Sequence, residues 1–493
     1  MVANLSNFFI KNNFLIQPDL INFIQDINPN LILSLLIDMK APKLISLNFF
    51  KKNKKELLKL LEKYNNLKKF EESDIFYFRE KVLNIEEDIE ITESIETNFE
   101  INKTLMPKKI EVNDFISYFR NRFNYFKEIL KYRNELENLI SIDKLPKKNQ
   151  NVSVIGIVFS KEITKNNNII LTLEDNRANI KVLINKNSKA YKKALYVVED
   201  EVIGVKGFGN KDLIFASDII FPKAINQNDK KVNIDKNLVF ISDIHIGSEK
   251  FLENNFRKFI NWVNSNDEKA KKITHIFVNG DIVDGVGIYP GQEEELSIKD
   301  IKEQYKAAAE IFSEIRENVK LVFIPGNHDA CRLVEPQIFT NYASPLQKLE
   351  NAIFLPNPSY FLVYGYQILL YHGYSLDYYA NNVYSLKEKK PYENPEILLE
   401  FLLEKRHLAP THGSTLYFPC EEDFLIIKKI PDIFVTSHVH KTGIKKYENI
   451  LLISTSCFQA RTAFQEKFGH MPDPGRVPIF NTKTKKIAIL EFN

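Results

Sequence analysis

Cysteine is nearly absent: Cys331, Cys420 and Cys457 are the only three in a chain of 493 residues. They lie far apart and form no C-x-x-C pair, which speaks against a zinc ribbon or a disulfide framework and suits a reducing compartment. An excess of one charge is lacking too. Lys and Arg number 67 against 64 Asp and Glu, a net charge of +3, so bulk charge neither demands nor excludes nucleic acid. Long hydrophobic runs are also missing. The longest near the N-terminus, Leu31 to Ile37, falls far short of the roughly 20 residues that span a bilayer. No basic start leads into an apolar core and a small-residue cleavage site, so no signal peptide is read. The expectation is a cytoplasmic chain with no membrane partner.

The length exceeds one ordinary core and predicts two to four domains. Residues 1–65 read as short helices. Pro18-Asp19 opens one, and Lys54 to Tyr64 carries leucines at 57, 58, 60 and 61 among lysines. This small helical domain is either a docking module or a stabilising cap. Residues 66–112 are mixed and acid-rich, as in Ile85-Glu-Glu-Asp-Ile-Glu-Ile, and read as a linker with one or two strands. Asn113 caps a helical segment within 113–145. It runs to about Ile140, with Phe115, Phe119, Phe123, Phe126 and Leu130 on a core stripe and Arg120, Arg122, Lys131 and Arg133 on a solvated face. Over 150–225 five β-rich runs and a helical piece near Ala190 suit an OB-type barrel. Its strands are poor in aromatics, and Lys plus Arg number 11 against 8 acidic residues between 161 and 223. This favours a structural or partner-binding barrel over a strong single-strand binder.

Residues 236–493 repeat one design: an apolar strand, then a polar loop with potential metal ligands. Leu238–Ser242 leads into Asp243-Ile-His245, and His275–Asn279 into Gly280-Asp281-Ile-Val-Asp284. Leu321–Pro325 leads into Gly326-Asn327-His328-Asp329, Gln367–Tyr371 into His372-Gly373, and Ile433–Ser437 into His438-Val-His440. Buried strands read as continuous apolar runs, and sites gather where strands end. Each motif alone is weak; a lone strand histidine is usually a satisfied core residue, the reading given to His275 and His470. Five in series point to a dinuclear centre, in which two divalent ions about 3.5–4 Å apart share a bridging carboxylate. Asp281 is the expected bridge. Asp243, His245 and His440 complete one ion, and Asn327, His372 and His438 the other. The single residue inside each pair sends alternate side chains of an extended segment to one side.

Such a centre lowers the pKa of a bridging water and yields a hydroxide nucleophile for a phosphate ester. His328 is expected to assist the leaving alkoxide as general acid or leaving-group stabiliser. Asp284 is the expected partner that orients its imidazole, with Asp329 as the alternative.

The five motifs resemble those of the calcineurin-like metallophosphoesterases, D-x-H, G-D-x-x-D, G-N-H-[DE], H and G-H-x-H. Ser437 stands where that family has glycine. Longer stretches resemble the family of small subunits of archaeal family D DNA polymerases. These are Ser242-Asp-Ile-His-Ile-Gly-Ser248, Asp284-Gly-Val-Gly-Ile-Tyr-Pro-Gly-Gln292, Pro325-Gly-Asn-His-Asp-Ala330, Arg406-His-Leu-Ala-Pro410 and Asp114-Phe-Ile-Ser-Tyr-Phe-Arg120. Ile338 replaces a proline expected after Glu335-Pro336-Gln337. The resemblance implies a multidomain α+β chain: helical N-terminal domain, OB-type β-barrel, and a phosphodiesterase β-sandwich flanked by helices. It further implies a proofreading 3′-to-5′ DNA exonuclease with two divalent metal ions, Mn²⁺ favoured and Fe²⁺ or Zn²⁺ accepted. The implied partners are single-stranded or frayed 3′ DNA ends and a large catalytic polymerase subunit, which this chain also scaffolds.

Other readings are an architectural subunit with vestigial chemistry, a stand-alone phosphatase, and a repair nuclease. The intact ligand set speaks against the first, and the long N-terminal half against the second. Repair nucleases place the phosphodiesterase first in the chain, whereas here it comes last. Tyr289 with the Pro290-Gly291-Gln292 turn is a candidate substrate rim. Arg332, His407, Lys441 and Arg461 are candidate phosphate contacts.

Overall fold

A computed structural model describes residues 8–16, 20, 24, 27–45, 49–50, 53–67, 69–70, 74–75, 78, 94–96, 109–226, 232–467 and 469–493. The chain forms two compact units, Met1–Ile91 and Thr92–Asn493. The first unit therefore extends past residue 65 into the stretch read as linker. The expected helix start at Pro18-Asp19 and the acidic run from Ile85 lie outside the described residues. No described helix is long and apolar enough to cross a membrane.

The first unit holds α1 (Pro29–Asp38) and α2 (Lys54–Asn66). Asn28 caps α1, its side chain accepting from the Asn30 N–H at 3.0 Å. Leu31, Leu35, Leu57, Leu61 and Tyr64 meet in a fully buried core with Phe9 and Phe78. The leucines of α2 recur at helical spacing, so one face turns inward while Lys59 and Lys63 stay outside.

The second unit begins with β1 (Ser94–Glu96) and α3 (Val112–Leu130). The Glu111 N–H donates to the Asp114 carboxylate at 2.9 Å, so the start is tied at Asp114 and not at Asn113. The helix also stops ten residues before the expected end. Beyond Leu130 the chain makes successive turns, with the Arg133 N–H on the Leu130 carbonyl and the Leu136 N–H on the Arg133 carbonyl, both at 3.0 Å. These turns carry Leu136 into a buried cluster with Ile155 and Val202 of the barrel.

Five strands close that barrel: β2 (Gln150–Ile163), β3 (Ile169–Glu174), β4 (Asn179–Ile184), β5 (Val202–Gly209) and β6 (Leu213–Ile220). Their order is β2-β3-β4-β6-β5, and β5 pairs back onto β2. A short helix, α4 (Ala190–Leu195), lies between β4 and β5 in sequence. Alternate residues such as Leu171, Leu173, Val182 and Val205 fill the interior.

The rest of the unit is two sheets packed face to face. The first contains β7 (Asn237–Ile241), β8 (Ile273–Asn279), β9 (Lys320–Ile324) and β10 (Ala352–Phe354). The second contains β11 (Ser359–Val363), β12 (Tyr366–Leu370), β13 (Ile433–Thr436), β14 (Gly443–Tyr447) and β15 (Ile450–Ser454). β16 (Arg476–Asn481) and β17 (Ile487–Glu491) complete the first sheet, in the order β10-β9-β8-β7-β16-β17. The second runs β14-β15-β13-β12-β11-β1. The continuous apolar runs have a direct cause, since β7, β8, β9, β12 and β13 are buried on both faces. Leu238, Phe240, Phe277, Val322, Ile368 and Val435 point between the sheets. Val239, Ile241, Val278 and Phe323 point the other way, onto Phe256 and Phe259 of α5 (Glu253–Val263) and Tyr305 and Phe312 of α6 (Ile301–Ser313). On the outer face of the second sheet, Leu369 and Phe434 meet α7 (Ser375–Asn382) and α8 (Glu396–Lys405). Each such side chain, fully buried, contributes about 1.5–3 kcal/mol.

Arg122 departs from the solvated-face reading, while Arg120 and Lys131 are exposed as expected. Arg122 is 1% exposed and ion-pairs with Asp423 at 2.6 Å. It also donates to the Asp200 and Pro410 carbonyls, while the Tyr118 hydroxyl and the His407 ring take up the remaining Asp423 positions. The Phe123–Phe126 stripe is core as expected; the arginine beside it is drawn inward by a buried carboxylate. Removing one partner of such a pair strands the other charge, so Arg122→Ala is expected to cost about 3–5 kcal/mol in urea unfolding.

The same cluster predicts acid sensitivity. Burial pulls the His407 imidazolium down to about 4, more than Asp423 can offset. The unfolded chain, at an ordinary pKa near 6.5, takes up that proton first. Stability is then complete above pH 6.5 and falls as pH drops toward 4. At about 1.4 kcal/mol per pH unit the loss is about 3 kcal/mol. The untitratable His407→Gln is expected to flatten this slope in unfolding measured across pH 7 to 4.

Candidate metal centre

β7, β8 and β9 are parallel neighbours, so their C-terminal ends share one edge of the first sheet. β12 and β13 are parallel neighbours in the second. Five loops therefore meet, and they carry all nine candidate residues. The loop backbones lock together: the Asp243 N–H donates to the Gly280 carbonyl at 3.0 Å, and the Ile244 N–H to the Asp281 carbonyl at 2.8 Å.

The backbone there is unusual. Asp243, His245, Asp281, His438 and His440 all have left-handed φ, between 48° and 71°. For residues with a Cβ this conformation costs about 1–3 kcal/mol each and is held only where the surroundings over-determine it. It also corrects the extended-segment account of the paired ligands. Asp243 and His245 converge by two left-handed turns around the buried Ile244, whereas His438 and His440, left-handed on either side of Val439, go to separate donor groups. Glycine is required at two places. A Cβ on Gly280 would collide with His372, and one on Gly326 with the Asp281 carboxylate.

Three groups of donor atoms each gather within 4.8 Å: Asp243, His245 and His440; Asp281, His372 and His438; and His245, Asp281 and His328. Asp281 lies between the first two, its Oδ2 3.3 Å from His372 Nε2 and 3.9 Å from His245 Nε2. Asn327 joins through its Oδ1, 3.0 Å from His372 Nε2. His245 Nε2 and His440 Nε2 face one another at 3.2 Å.

Electrostatics follow from burial. Burial opposes the charge on Asp281, yet His372 and His328 hold it well below the usual carboxylate range. Burial likewise opposes the His372 imidazolium, and the Asp281 carboxylate outweighs it and raises the ring to about 9. Asp243 Oδ1 is buried without a hydrogen-bond partner, 3.3 Å from His440 Nε2. A buried carboxylate oxygen left this way is costly unless something cationic completes it. The donor set of histidines, carboxylates and an amide oxygen fits divalent cations such as Mn²⁺, Fe²⁺ or Zn²⁺.

The structure reassigns the partner of His328. The Asp284 carboxylate lies 3.0 Å from His245 Nδ1. His328 Nδ1 instead donates to the Asp284 backbone carbonyl at 2.8 Å, which leaves Nε2 for the site. Asp329 does not serve it either, since that carboxylate accepts from the Gly326 N–H at 2.9 Å and the Tyr305 hydroxyl at 3.1 Å. Burial lowers the His328 pKa, with Asp281 pulling the other way.

Several supporting residues carry no motif. Asp377 on α7 holds His438 Nε2 at 3.1 Å, and Gln465 meets His440 Nδ1 at 3.0 Å. Gln459 and Gln292 donate to the two Asp284 carboxylate oxygens at 3.1 and 3.0 Å. Partners on the far side of a ligand fix its orientation. Ser437, at the glycine position, is fully buried with its Oγ 2.9 Å from His372 Nδ1. Asp377 follows His372 by only five residues; that proximity was its one signal in the sequence.

The other candidates divide. Tyr289 stands beside His328, ring centroids 6.4 Å apart, but Gln292 is buried under Asp284 and forms no rim. His407 is buried against Asp423 and cannot meet a phosphate. Arg332 donates to the Pro336 carbonyl at 3.1 Å and Lys441 to the Met471 carbonyl at 3.2 Å. Arg461 is half-buried. His275 is a core residue among Phe277, Phe361 and Tyr364, as expected. His470 is not: it is half-buried and stacks on Tyr392.

Residues 238–444 match the DNA polymerase alpha/epsilon B-subunit family. The DNA polymerase II small subunit of Methanothermobacter thermautotrophicus is 42% identical over 393 residues, 78% of this chain and 80% of that one. Its counterpart in Pyrococcus furiosus is 32% identical over 431 residues, 82% and 70% of the two chains. That of Archaeoglobus fulgidus is 36% identical over 380 residues, 75% of each. A solved archaeal phosphodiesterase aligns at 13% identity and a TM-score of 0.28, over 52% of this chain and 99% of the other, too slight a likeness to bear on the fold. Identity of this extent over most of both chains places the protein in the family of DNA polymerase II small subunits, the archaeal family D small subunits that its motifs resemble.

Proposed function

We propose that the chain is the proofreading 3′-to-5′ exonuclease of a replicative DNA polymerase, a dinuclear phosphodiesterase that also scaffolds the large catalytic subunit. The observation that carries this reading is the convergence of five strand-end loops on three overlapping donor groups. In this reading Asp243, His245 and His440 would hold one divalent ion, Asn327, His372 and His438 would hold the other, and Asp281 would be shared between them. Two such ions, when bound, neutralise the phosphate and activate water.

The chain's own residues do the rest. Asp284 fixes His245, and Asp377 fixes His438. The Asp281 carboxylate accepts the His328 N–H at 2.8 Å, which sets that loop against the bridge. His328, oriented through Nδ1, presents Nε2 to the departing O3′ and gives it a proton as the P–O bond breaks. Asp284 thus supports catalysis from behind His245.

The barrel's strand order, with its helix between the third and fourth strands, supports an OB-type assignment, and the paired sheets support a calcineurin-like sandwich. The relatives' name, DNA polymerase II small subunit, supports a large polymerase subunit as partner; a 3′ DNA end as substrate and a cytoplasmic setting are part of the proposal itself. The test is 5′-labelled single-stranded DNA with Mn²⁺ and the full chain. A ladder shortening from the 3′ end is expected. Its absence both alone and with the large subunit would leave the architectural reading.

A further inference from the structure

A cavity of about 460 Å³ opens beside the centre, lined by Asp377, Lys387, Lys390, Tyr392 and His470 among others. This size lies in the range of roughly 300–1,000 Å³ typical of small-molecule sites. Two of its walls connect to the candidate ligands. The Tyr392 hydroxyl donates to Asp377 Oδ1 at 3.0 Å, and Asp377 Oδ2 holds His438. The His470 N–H donates to the Gln465 carbonyl at 2.8 Å, and Gln465 meets His440. The rings of Tyr392 and His470 stack on one another, centroids 4.1 Å apart and 27° from parallel. None of these residues belongs to a motif of the metal centre.

Direction follows from the chemistry. The cavity reaches one donor group through His438 and the other through His440, and His328 is not among its lining residues. The cavity therefore flanks the centre on a side that His328 does not occupy. In the nuclease reading the leaving O3′, with all of the upstream strand, is on the His328 side. The part of the substrate left for the cavity is the single terminal nucleoside, joined to the phosphate through O5′. Stacked aromatic rings suit a base of any sequence, because every base has a π-face.

We infer that this cavity is the subsite for the 3′-terminal nucleotide, with the base stacked on the Tyr392–His470 pair. The inference rests on the nuclease reading for its direction, but its test does not need turnover. The full chain with Mn²⁺ is titrated with dAMP and, separately, with 2-deoxyribose 5-phosphate, which lacks the base. Wild type is expected to bind dAMP about tenfold more tightly than the sugar phosphate, the gain typical of one base on an aromatic ring. Tyr392→Phe keeps the ring and is expected to keep that ratio. Tyr392→Ala and His470→Ala are expected to bring it to about one. Manganese content and thermal unfolding of each variant report whether the fold and the centre survive. A tenfold preference that persists in both alanine variants, or none in wild type, overturns the subsite. DNA shortening by wild type, scored in parallel, reports on the nuclease reading separately.

Discussion

Asp281→Ala is expected to abolish nuclease activity and metal binding together. Its Oδ2 stands 3.3 Å from His372 Nε2 and 3.9 Å from His245 Nε2, and its Oδ1 accepts the His328 N–H at 2.8 Å. One carboxylate thus touches both donor groups and the loop of His328, the proposed general acid. In the proposed centre alanine would remove the shared ligand; it leaves His372 without its counter-charge and frees the His328 loop. Truncating one member of a buried charged pair costs about 3–5 kcal/mol, and the same energy taken from a transition state is a factor of roughly 10²–10⁴ in rate. Loss of a shared ligand adds to that, so turnover should fall by at least about 10³-fold. The measurement is metal content per chain beside exonuclease rate. Asp281→Asn is the informative companion. It keeps an oxygen for the His328 N–H and the shape of the site, but not the charge. Should it match alanine in metal loss, the charge is what matters. A variant that lost the carboxylate yet kept two metal ions and its rate would sink the bridging assignment.

What could be read from the sequence, and what could not, divides along a physical line. A strand buried on both faces must be apolar throughout, so β7, β8, β9, β12 and β13 announce themselves, and the polar loop after each is an interruption anyone can count. Parallel neighbours end together, so those loops had to converge. Partner choice is another matter. Whether the Asp284 carboxylate meets His328 or His245 depends on where two loops cross, and the carboxylate and its His245 partner are 39 positions apart. Arg122 and Asp423 are 301 positions apart, and helical periodicity reports only which side of α3 the arginine leaves, not what waits there. The left-handed turns at Asp243 and His440 carry no composition signal either, because nothing in an aspartate or histidine demands positive φ. Asp377 and Gln465 act on candidate ligands from behind, Gln459 acts one step further back on Asp284, and a side chain in that role needs neither a motif nor a fixed spacing.

His328→Ala separates chemistry from metal binding, and is expected to keep both ions while kcat falls about 10²–10⁴-fold on DNA. Its Nδ1 is committed to the Asp284 carbonyl at 2.8 Å, so the ring is held as a fixed tautomer with Nε2 toward the site. The ring also lies within reach of His245 and Asp281 as a third donor group, which makes metal retention the critical readout. If His328 were a ligand, alanine would lower metal content as Asp281→Ala does. If it delivers a proton, the loss must depend on the leaving group. The O3′ alkoxide needs that proton, whereas p-nitrophenolate leaves without one. Bis-p-nitrophenyl phosphate should therefore be cleaved by the variant at nearly the wild-type rate. The pH profile gives the sign independently. A general acid works only while protonated, so wild-type activity on DNA is lost as pH rises through the His328 pKa. Burial holds that pKa low in the free chain, and an anionic phosphate beside the ring pulls it upward. In the alanine variant the alkaline fall disappears. An unchanged alkaline limb, or an equal loss on both substrates, would assign His328 to phosphate binding rather than to proton transfer.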